Sequence, residues 1–377
     1  MNRDTINNIV WWIPIKKLRN SLRDYLNYTM DKFNRIENVC KDNQYNQEKT
    51  DNYIILSSRT FGLKFFKINN EDKFKQLIEK FKENLDEYSL EVLNSYLHKH
   101  DCLINKYLGI ASFYKIPISS DFFTDEEKIS HFNRTSILNE LAKRYSEYDR
   151  KDIEFCLQIY YYQYGLIYVP DYIKEQFVNA SALDLGSYRG GVCVMLLKEF
   201  KFNNLYAFEA SKNNYMRIQN TIKKYKLESK ITVFNEAVGD KNETIDIFED
   251  PDLNSGAGNF VTYKNFKDNP NIHTVQCVKL DDKMDRNENI KLIKLDIEGF
   301  EYRALKGAEN IIRKNKPVLL ISCYHNGNLN DDNENIPQMF ELKEYIESLN
   351  LGYKILFRHI EPNTLYEYLL VCYVDNR

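Results

Sequence analysis

Ala182-Leu-Asp-Leu-Gly-Ser-Tyr-Arg-Gly-Gly191 is the stretch that decides how this chain folds. Its apolar start, Ala182–Leu185, has the character of a short strand, and the run that follows, Val192–Phe200, has the character of a helix. A strand that ends in a glycine-rich turn and opens into a helix builds a site for a nucleoside-bearing cofactor. The glycines let the backbone approach a ligand closely, and the helix N-terminus presents unpaired N–H groups.

Downstream, short apolar runs alternate with helical stretches, the pattern of a parallel α/β sheet. After Ala182–Leu185 the strand candidates are Leu205–Phe208, Ile231–Phe234, Leu292–Leu295 and Val318–Cys323. Val192–Phe200, Asn213–Tyr225 and Tyr302–Asn315 are the helices between them. A helix over Met339–Leu349 then leads to strands at Tyr353–Phe357 and Tyr366–Val374. Only a turn with Pro362 and Asn363 separates these last two, which predicts an antiparallel hairpin rather than another crossover unit. Asp184-x-Gly186-x-x-x-Gly190 also lacks the Gly-x-Gly-x-x-Gly spacing of a nicotinamide dinucleotide site. Spacing and hairpin together favour a class I methyltransferase fold, a Rossmann-like sheet of seven strands whose last strand is antiparallel.

Upstream the rhythm is different. Residues 1–165 read as a mainly helical region that shapes an acceptor site or mediates homo-oligomerisation, and 166–377 as the cofactor-binding domain. Lys73–Leu85 places Phe74, Leu77, Ile78, Phe81 and Leu85 on one helical face, and Ser136–Tyr164 reads as helical with Ile137, Leu138, Leu141, Tyr145, Ile153, Leu157 and Tyr161. Tyr53–Leu63 is more strand-like or loop-like. The 377 residues are enough for two domains or one decorated domain, and 43% hydrophobic residues with 14% aromatics mark a globular chain. A net charge of -3 gives no general ground for a nucleic-acid partner. The seven cysteines, at 40, 102, 156, 193, 277, 323 and 372, contain no Cys-x-x-Cys pair, which fits a reducing, cytoplasmic setting. Ile9–Ile15 is too short to cross a bilayer and is interrupted by Pro14. With Trp11, Trp12, Lys16, Lys17, Arg19 and Arg23, residues 8–23 suit a peripheral contact with the inner face of an anionic membrane, or a helix docked through its tryptophans.

Six short motifs in order carry a family resemblance: Leu183-Asp-Leu-Gly-Ser, Tyr206-Ala-Phe-Glu-Ala210, Asn235-Glu-Ala-Val-Gly-Asp240, Val278-Lys-Leu-Asp-Asp282, Ile293-Lys-Leu-Asp-Ile-Glu-Gly-Phe-Glu301 and Leu305-Lys-Gly-Ala308. Over about Tyr164–Arg377 the chain resembles the FkbM-type methyltransferases. The resemblance implies S-adenosylmethionine as cofactor and a hydroxyl group, commonly on a sugar or polyketide, as acceptor. Val10-Trp-Trp-Ile-Pro-Ile-Lys-Lys-Leu-Arg19 is similar to an opening of bacterial surface-glycan enzymes, which implies a capsule or lipopolysaccharide setting.

The candidate residues follow from their places at strand ends. The resemblance gives Asp184 the methionine end of the cofactor; a carboxylate within Leu-Asp-Leu in any case needs a reason to be desolvated. Gly186 and Gly190 allow close backbone approach, and Ser187, Tyr188 and Arg189 line their turn. Glu209, with Ala210 beside it, is placed to accept hydrogen bonds from both ribose hydroxyls. Asn235 or Glu236 is expected near the adenine. Asp296, Glu298 and Glu301 form an acidic cluster after the fourth strand. Asp296 is expected near the transferring methyl group, Glu298 at the substrate or a metal, and Glu301 at a helix N-terminus as a dipole partner. His325, with an unperturbed pKa of about 6.5, is the preferred general base, and His359 in the hairpin is expected to lie too far away. Asp331 and Asp332 could join Asp296 and His325 around a divalent cation, although no metal is assigned.

Overall fold

In the computed structural model of the chain the described residues are 53–58, 71–104, 112–117, 123–249, 258–260, 272–325, 337–362, 364 and 366–375. Residues 8–23, Asp331 and Asp332 lie outside them. In the N-terminal part, β1 (Tyr53–Ser58) pairs antiparallel with β2 (Ser112–Pro117), around helices α1 (Glu71–Lys82) and α2 (Glu87–Ile104). Helix α3 (Asp125–Arg144) follows. It begins eleven residues before Ser136 because Thr124 and Glu127 close a capping box, the Thr124 Oγ1 accepting from the Glu127 N–H and the Glu127 carboxylate from the Thr124 N–H. It ends at Arg144, so the helical pattern read over Ser136–Tyr164 is broken by turns before a single helical turn at Leu157–Tyr160.

The α/β part alternates as the sequence predicts: β3 (Ser181–Leu185), α4 (Gly191–Glu199), β4 (Asn204–Phe208), α5 (Lys212–Tyr225) and β5 (Ile231–Phe234). Next comes a part the apolar-run reading passed over, β6 (Ala237–Gly239), β7 (Glu243–Glu249), β8 (Gly258–Phe260) and β9 (Ile272–Lys279), which make a separate sheet in the order β6-β9-β7-β8. Strands β7 and β9 carry polar residues on one face and apolar ones on the other: Ile247, Val275 and Cys277 are buried, while Asp246, Thr274 and Gln276 are exposed. An alternating signal of this kind is weaker than a continuous apolar run.

The chain then returns through β10 (Ile290–Leu295), α6 (Glu301–Gly307), α7 (Glu309–Asn315), β11 (Val318–Ser322), α8 (Gln338–Ser348), β12 (Tyr353–His359) and β13 (Tyr368–Val374). The main sheet has seven strands in the order β12-β13-β11-β10-β3-β4-β5, with β13 antiparallel to both of its neighbours, as the terminal hairpin predicts. All five residues of β3, all five of β11 and all seven of β13 are buried, the continuous apolar pattern of strands covered on both faces.

Both covering layers draw on the N-terminal helices. On one face Ile78, Phe81, Val92, Leu93 and Tyr96 share a core with Leu183, Phe208, Phe357 and Leu370. On the other, Leu141 and Tyr145 share one with Ala182, Leu205, Leu320 and Val371. The connections run one way from β3 to β4 and the other way from β10 to β11, so the sheet's switch point is the gap between the C-terminal ends of β3 and β10. Open α/β sheets bind ligands at such a crevice.

Candidate functional site at the ends of β3, β4 and β10

Three strand ends are tied together at the glycine turn. The Gly186 and Ser187 N–H groups both donate to the Phe208 carbonyl, at 2.9 and 3.2 Å, and the Asp296 N–H donates to the Leu185 carbonyl at 3.0 Å. Gly186 has φ +78°, and a Cβ built there would stand 1.8 Å from the Asp296 carbonyl oxygen. The close approach that requires glycine is therefore between this turn and the backbone leaving β10. Tyr188 (φ +48°) and Gly190 (φ +81°) carry the chain into α4 in left-handed conformations, and Ser187 Oγ donates to the Asp184 carbonyl at 2.7 Å.

Asp184 is 1% exposed, and its desolvation has an internal reason. Lys294 Nζ lies 3.2 Å from Oδ1, and the Cys193 thiol donates to Oδ2 at 3.2 Å. Lys294 also donates to the Gly186 carbonyl at 2.6 Å. Burial alone would lower the lysine's pKa, but Asp184 and Asp296 more than offset it and raise the pKa, so the ammonium stays charged inside the sheet.

Glu209 ends β4 fully within the protein. Its Oε2 accepts from the Tyr188 N–H at 2.8 Å and its Oε1 from the Ser211 N–H at 2.9 Å. Burial outweighs these hydrogen bonds and pushes its pKa up to about 7. A buried carboxylate with so few donors suits a pair of ribose hydroxyls. Asn235 does not point an idle amide at the site: its Nδ2 donates to the carbonyls of Glu209 and Ala210, at 2.9 and 3.1 Å, and braces the β4 end. Glu236 is paired with Lys283 at 2.9 Å.

The acidic cluster after β10 converges with the end of β11. Asp296 accepts from Tyr164 at 2.8 Å on Oδ2 and from Tyr324 at 3.2 Å on Oδ1; Tyr164 also lies 3.0 Å from Ser322 Oγ. Although burial opposes ionisation, Lys294, His325 and these hydroxyls hold the Asp296 carboxyl below its ordinary range. Glu301 is 0% exposed and does more than face a helix dipole: its two oxygens accept from the Ile297 and Gly299 N–H groups, at 2.9 and 3.0 Å, and Oε1 lies 2.8 Å from His325 Nδ1. His325 Nε2 stands 3.7 Å from Asp296 Oδ1 and 3.6 Å from Glu298 Oε2. Burial disfavours the imidazolium, yet Glu301, Glu298 and Asp296 together raise its pKa to about 10. The unperturbed value near 6.5 on which a general-base role rests does not hold in these surroundings. His359 is remote, hydrogen-bonded through Nδ1 to Glu127 and stacked on Tyr368.

The structure therefore gathers Asp184, Gly186, Ser187, Tyr188, Glu209, Asp296, Glu298 and His325 around one crevice, with Asn235 and Ala210 on its wall. It adds residues that sequence reasoning missed. Tyr164 comes from the N-terminal part, where Tyr164 (φ +51°) and Gly165 (φ +94°) turn the chain under β11. Glu154, raised by partial burial to about 7, and Glu367, raised well above the ordinary range by burial and Asp296, are further half-buried acids that feel the Asp296 charge. Such tyrosines and isolated acids have no motif in one sequence, because what they do depends on which strands become neighbours.

For S-adenosylmethionine the residues fit: a left-handed glycine turn opening a helix, a buried carboxylate at the β4 tip that could take a diol, and acids after β10 whose charge would favour a sulfonium. No helix among the described residues is long and apolar enough to cross a membrane.

Residues 184–355 match the methyltransferase FkbM domain family. Comparison with curated proteins finds no match. Among solved structures, the methyltransferase FkbM of Methylobacillus flagellatus KT is 23% identical over 67% of this chain, with a TM-score of 0.42, and the chain spans 56% of that protein's length. An O-methyltransferase from Bacillus cereus in complex with SAH is 12% identical over 64% of this chain and 97% of its own, with a TM-score of 0.36. An rRNA methylase from Streptococcus thermophilus is 12% identical over 54% of this chain and 93% of its own, with a TM-score of 0.33.

Proposed function

Since residues 184–355 are a methyltransferase FkbM domain, that of an S-adenosylmethionine-dependent enzyme, we propose that the protein is an O-methyltransferase acting on a sugar hydroxyl of a bacterial surface glycan or of its activated precursor. The observation that carries this reading is the convergence of Tyr164, Tyr324, Ser322 and His325 on the Asp296 carboxylate beside the glycine turn. A cluster so rich in hydroxyl donors and carboxylate acceptors matches a polyhydroxylated acceptor, which needs several directional contacts to present one oxygen.

Asp184, the turn Gly186–Gly190 and Glu209 would hold the cofactor, with Glu209 on the ribose. When bound, S-adenosylmethionine supplies an already activated methyl group. The protein's contribution is then mainly alignment of the acceptor oxygen. Asp296, kept ionised by Lys294 and clamped by two tyrosine hydroxyls, accepts the hydrogen bond of the acceptor hydroxyl. Asp296, on which the hydroxyl donors of the cluster already converge, receives the acceptor hydroxyl's proton. A cavity beside the turn carries Arg189, Arg217 and Lys151, with Lys224 paired to Asp152 at 2.6 Å, a cationic excess that supports an acceptor bearing phosphate, such as a nucleotide-linked sugar.

The test is transfer of labelled methyl from S-adenosylmethionine by the full chain to free sugars, nucleotide-linked sugars, polysaccharide and RNA. Label on a sugar hydroxyl is the expected result. Label on RNA or on a nitrogen atom would overturn the acceptor assignment.

A further inference from the structure

Asp296, Glu301 and His325 each offer a donor atom within 4.8 Å of the others. The three do not play equal parts. Both Glu301 oxygens are occupied by backbone N–H groups, and Oε1 also faces His325 Nδ1, so Glu301 fixes the imidazole ring and leaves Nε2 to face outward. That Nε2 has no hydrogen-bond partner among the described residues, and the side chain is only 9% exposed. A buried ring nitrogen without a partner is costly, and a divalent cation would satisfy it by displacing any proton it carries.

Nε2 lies 3.7 Å from Asp296 Oδ1 and 3.6 Å from Glu298 Oε2. Those separations are too long for hydrogen bonds. They approach the roughly 3–3.5 Å between two atoms that ligate one ion at about 2.1 Å each. Carboxylate, histidine and ion in line, with the second ring nitrogen on a buried carboxylate, is how proteins orient a metal-binding histidine. The one buried ammonium nearby, Lys294, is spanned by Asp184 at 3.2 Å and so does not replace an ion at Nε2.

We propose that His325 Nε2, Asp296 and Glu298 bind a first-row divalent cation, with Glu301 as the positioning residue. The imidazole and two carboxylates match the borderline preference of Mn2+ or Zn2+ rather than Mg2+ or Ca2+ held by oxygens alone. Coordination positions that the protein leaves open would suit a substrate hydroxyl oxygen. The site goes beyond methyl transfer itself and stands or falls separately from it.

The full chain, stripped with chelator, is titrated with Mn2+ while free Mn2+ is read by electron paramagnetic resonance, and with Zn2+ followed by calorimetry. One saturable site is expected, weakened at least tenfold in Glu298→Gln and His325→Gln, weakened less in Glu301→Gln, and unchanged in His273→Gln on the exposed face of β9. Glu298 lies in a half-exposed loop, so its variant keeps the test open even if a buried-site variant fails to fold. Absence of a saturable site for either ion below millimolar concentration, or equal affinity in Glu298→Gln and the unaltered protein, overturns the proposal. Calorimetry of S-adenosylhomocysteine on the same samples separates the two readings. Cofactor binding without an ion site sinks only the cation, and an ion site without cofactor binding sinks only the methyltransferase reading.

Discussion

Glu209 and Asp184 can be told apart by what each substitution costs. Glu209→Ala removes two hydrogen bonds to backbone N–H groups and the proposed ribose acceptor; cofactor affinity in calorimetry is expected to fall at least tenfold. Asp184→Ala leaves the Lys294 ammonium buried without its partner, and should cost about 3–5 kcal/mol of stability in urea unfolding along with cofactor binding. Full cofactor affinity in both variants would remove this site. The pKa of Glu209 near 7 sets a pH dependence. The folded apo protein keeps a proton that the unfolded chain releases above about 4.5. This residue's contribution to stability therefore declines as pH rises from about 4.5 to about 7. Cofactor hydroxyls need the ionised form, so affinity should increase over the same range, by up to about tenfold per pH unit, with proton release on binding. Flat affinity between pH 5.5 and 8 would show that Glu209 does not take the ribose. Asp184, Glu209, Asp296 and His325 were legible in the sequence because each follows an apolar strand run, where a polar residue must have a purpose. Tyr164, Tyr324 and the orienting role of Glu301 were not, because they depend on which strands become neighbours.

Helix α3 shows how one residue can anchor an element. Glu127 closes the capping box with Thr124, pairs with the fully buried Lys99 of α2 at 2.6 Å, and bonds His359 at the end of β12. Burial alone would raise its pKa, but Lys99 and His359 bring it down to about 2. The sign is that of a depressed acid: its stabilisation is present above about pH 4.5 and is lost as pH falls toward 2. Glu127→Gln should cost about 3–5 kcal/mol in urea unfolding at pH 7, by leaving Lys99 uncompensated, and much less near pH 2. A loss under 1 kcal/mol at pH 7 would show that the pair is not stabilising. The capping signal Thr124-x-x-Glu127 was present in the sequence, ahead of the apolar periodicity by which the helix was read. Strands β7 and β9 were missed for the opposite reason: Asp246, Thr274 and Gln276 face solvent between their buried residues, which breaks up the apolar run.

Across the whole molecule, the two-part reading of the sequence meets a structure in which the N-terminal helices cover both faces of the sheet. Phe81 packs edge-on against Phe340 and Phe357, with ring centroids 5.5 and 5.4 Å apart, and Tyr96 against Tyr368 at 4.8 Å. Arg358 at the β12 end binds Asp86 and Ser89 of the helical part. Residues 166–377 expressed alone should therefore expose these apolar surfaces and aggregate or unfold, and Phe81→Ala in the full chain should cost about 3–5 kcal/mol with a single unfolding transition. A soluble, cofactor-binding 166–377 fragment would contradict this. The alternation of strand and helix made the sheet legible; how closely the helices join it was not, because periodicity shows that a face is apolar but not what it meets.

The place of β13 sets an order on synthesis. It is the last of the seven strands to be made, yet it lies between β11 and β12 and joins them. Until it emerges from the ribosome, β11 and β12 carry open hydrogen-bonding edges and neither can close the sheet. The β10–β11 end that bears Asp296 and His325 is then the last part of the crevice to settle, so a nascent chain would assemble its cofactor turn before it could present an acceptor site.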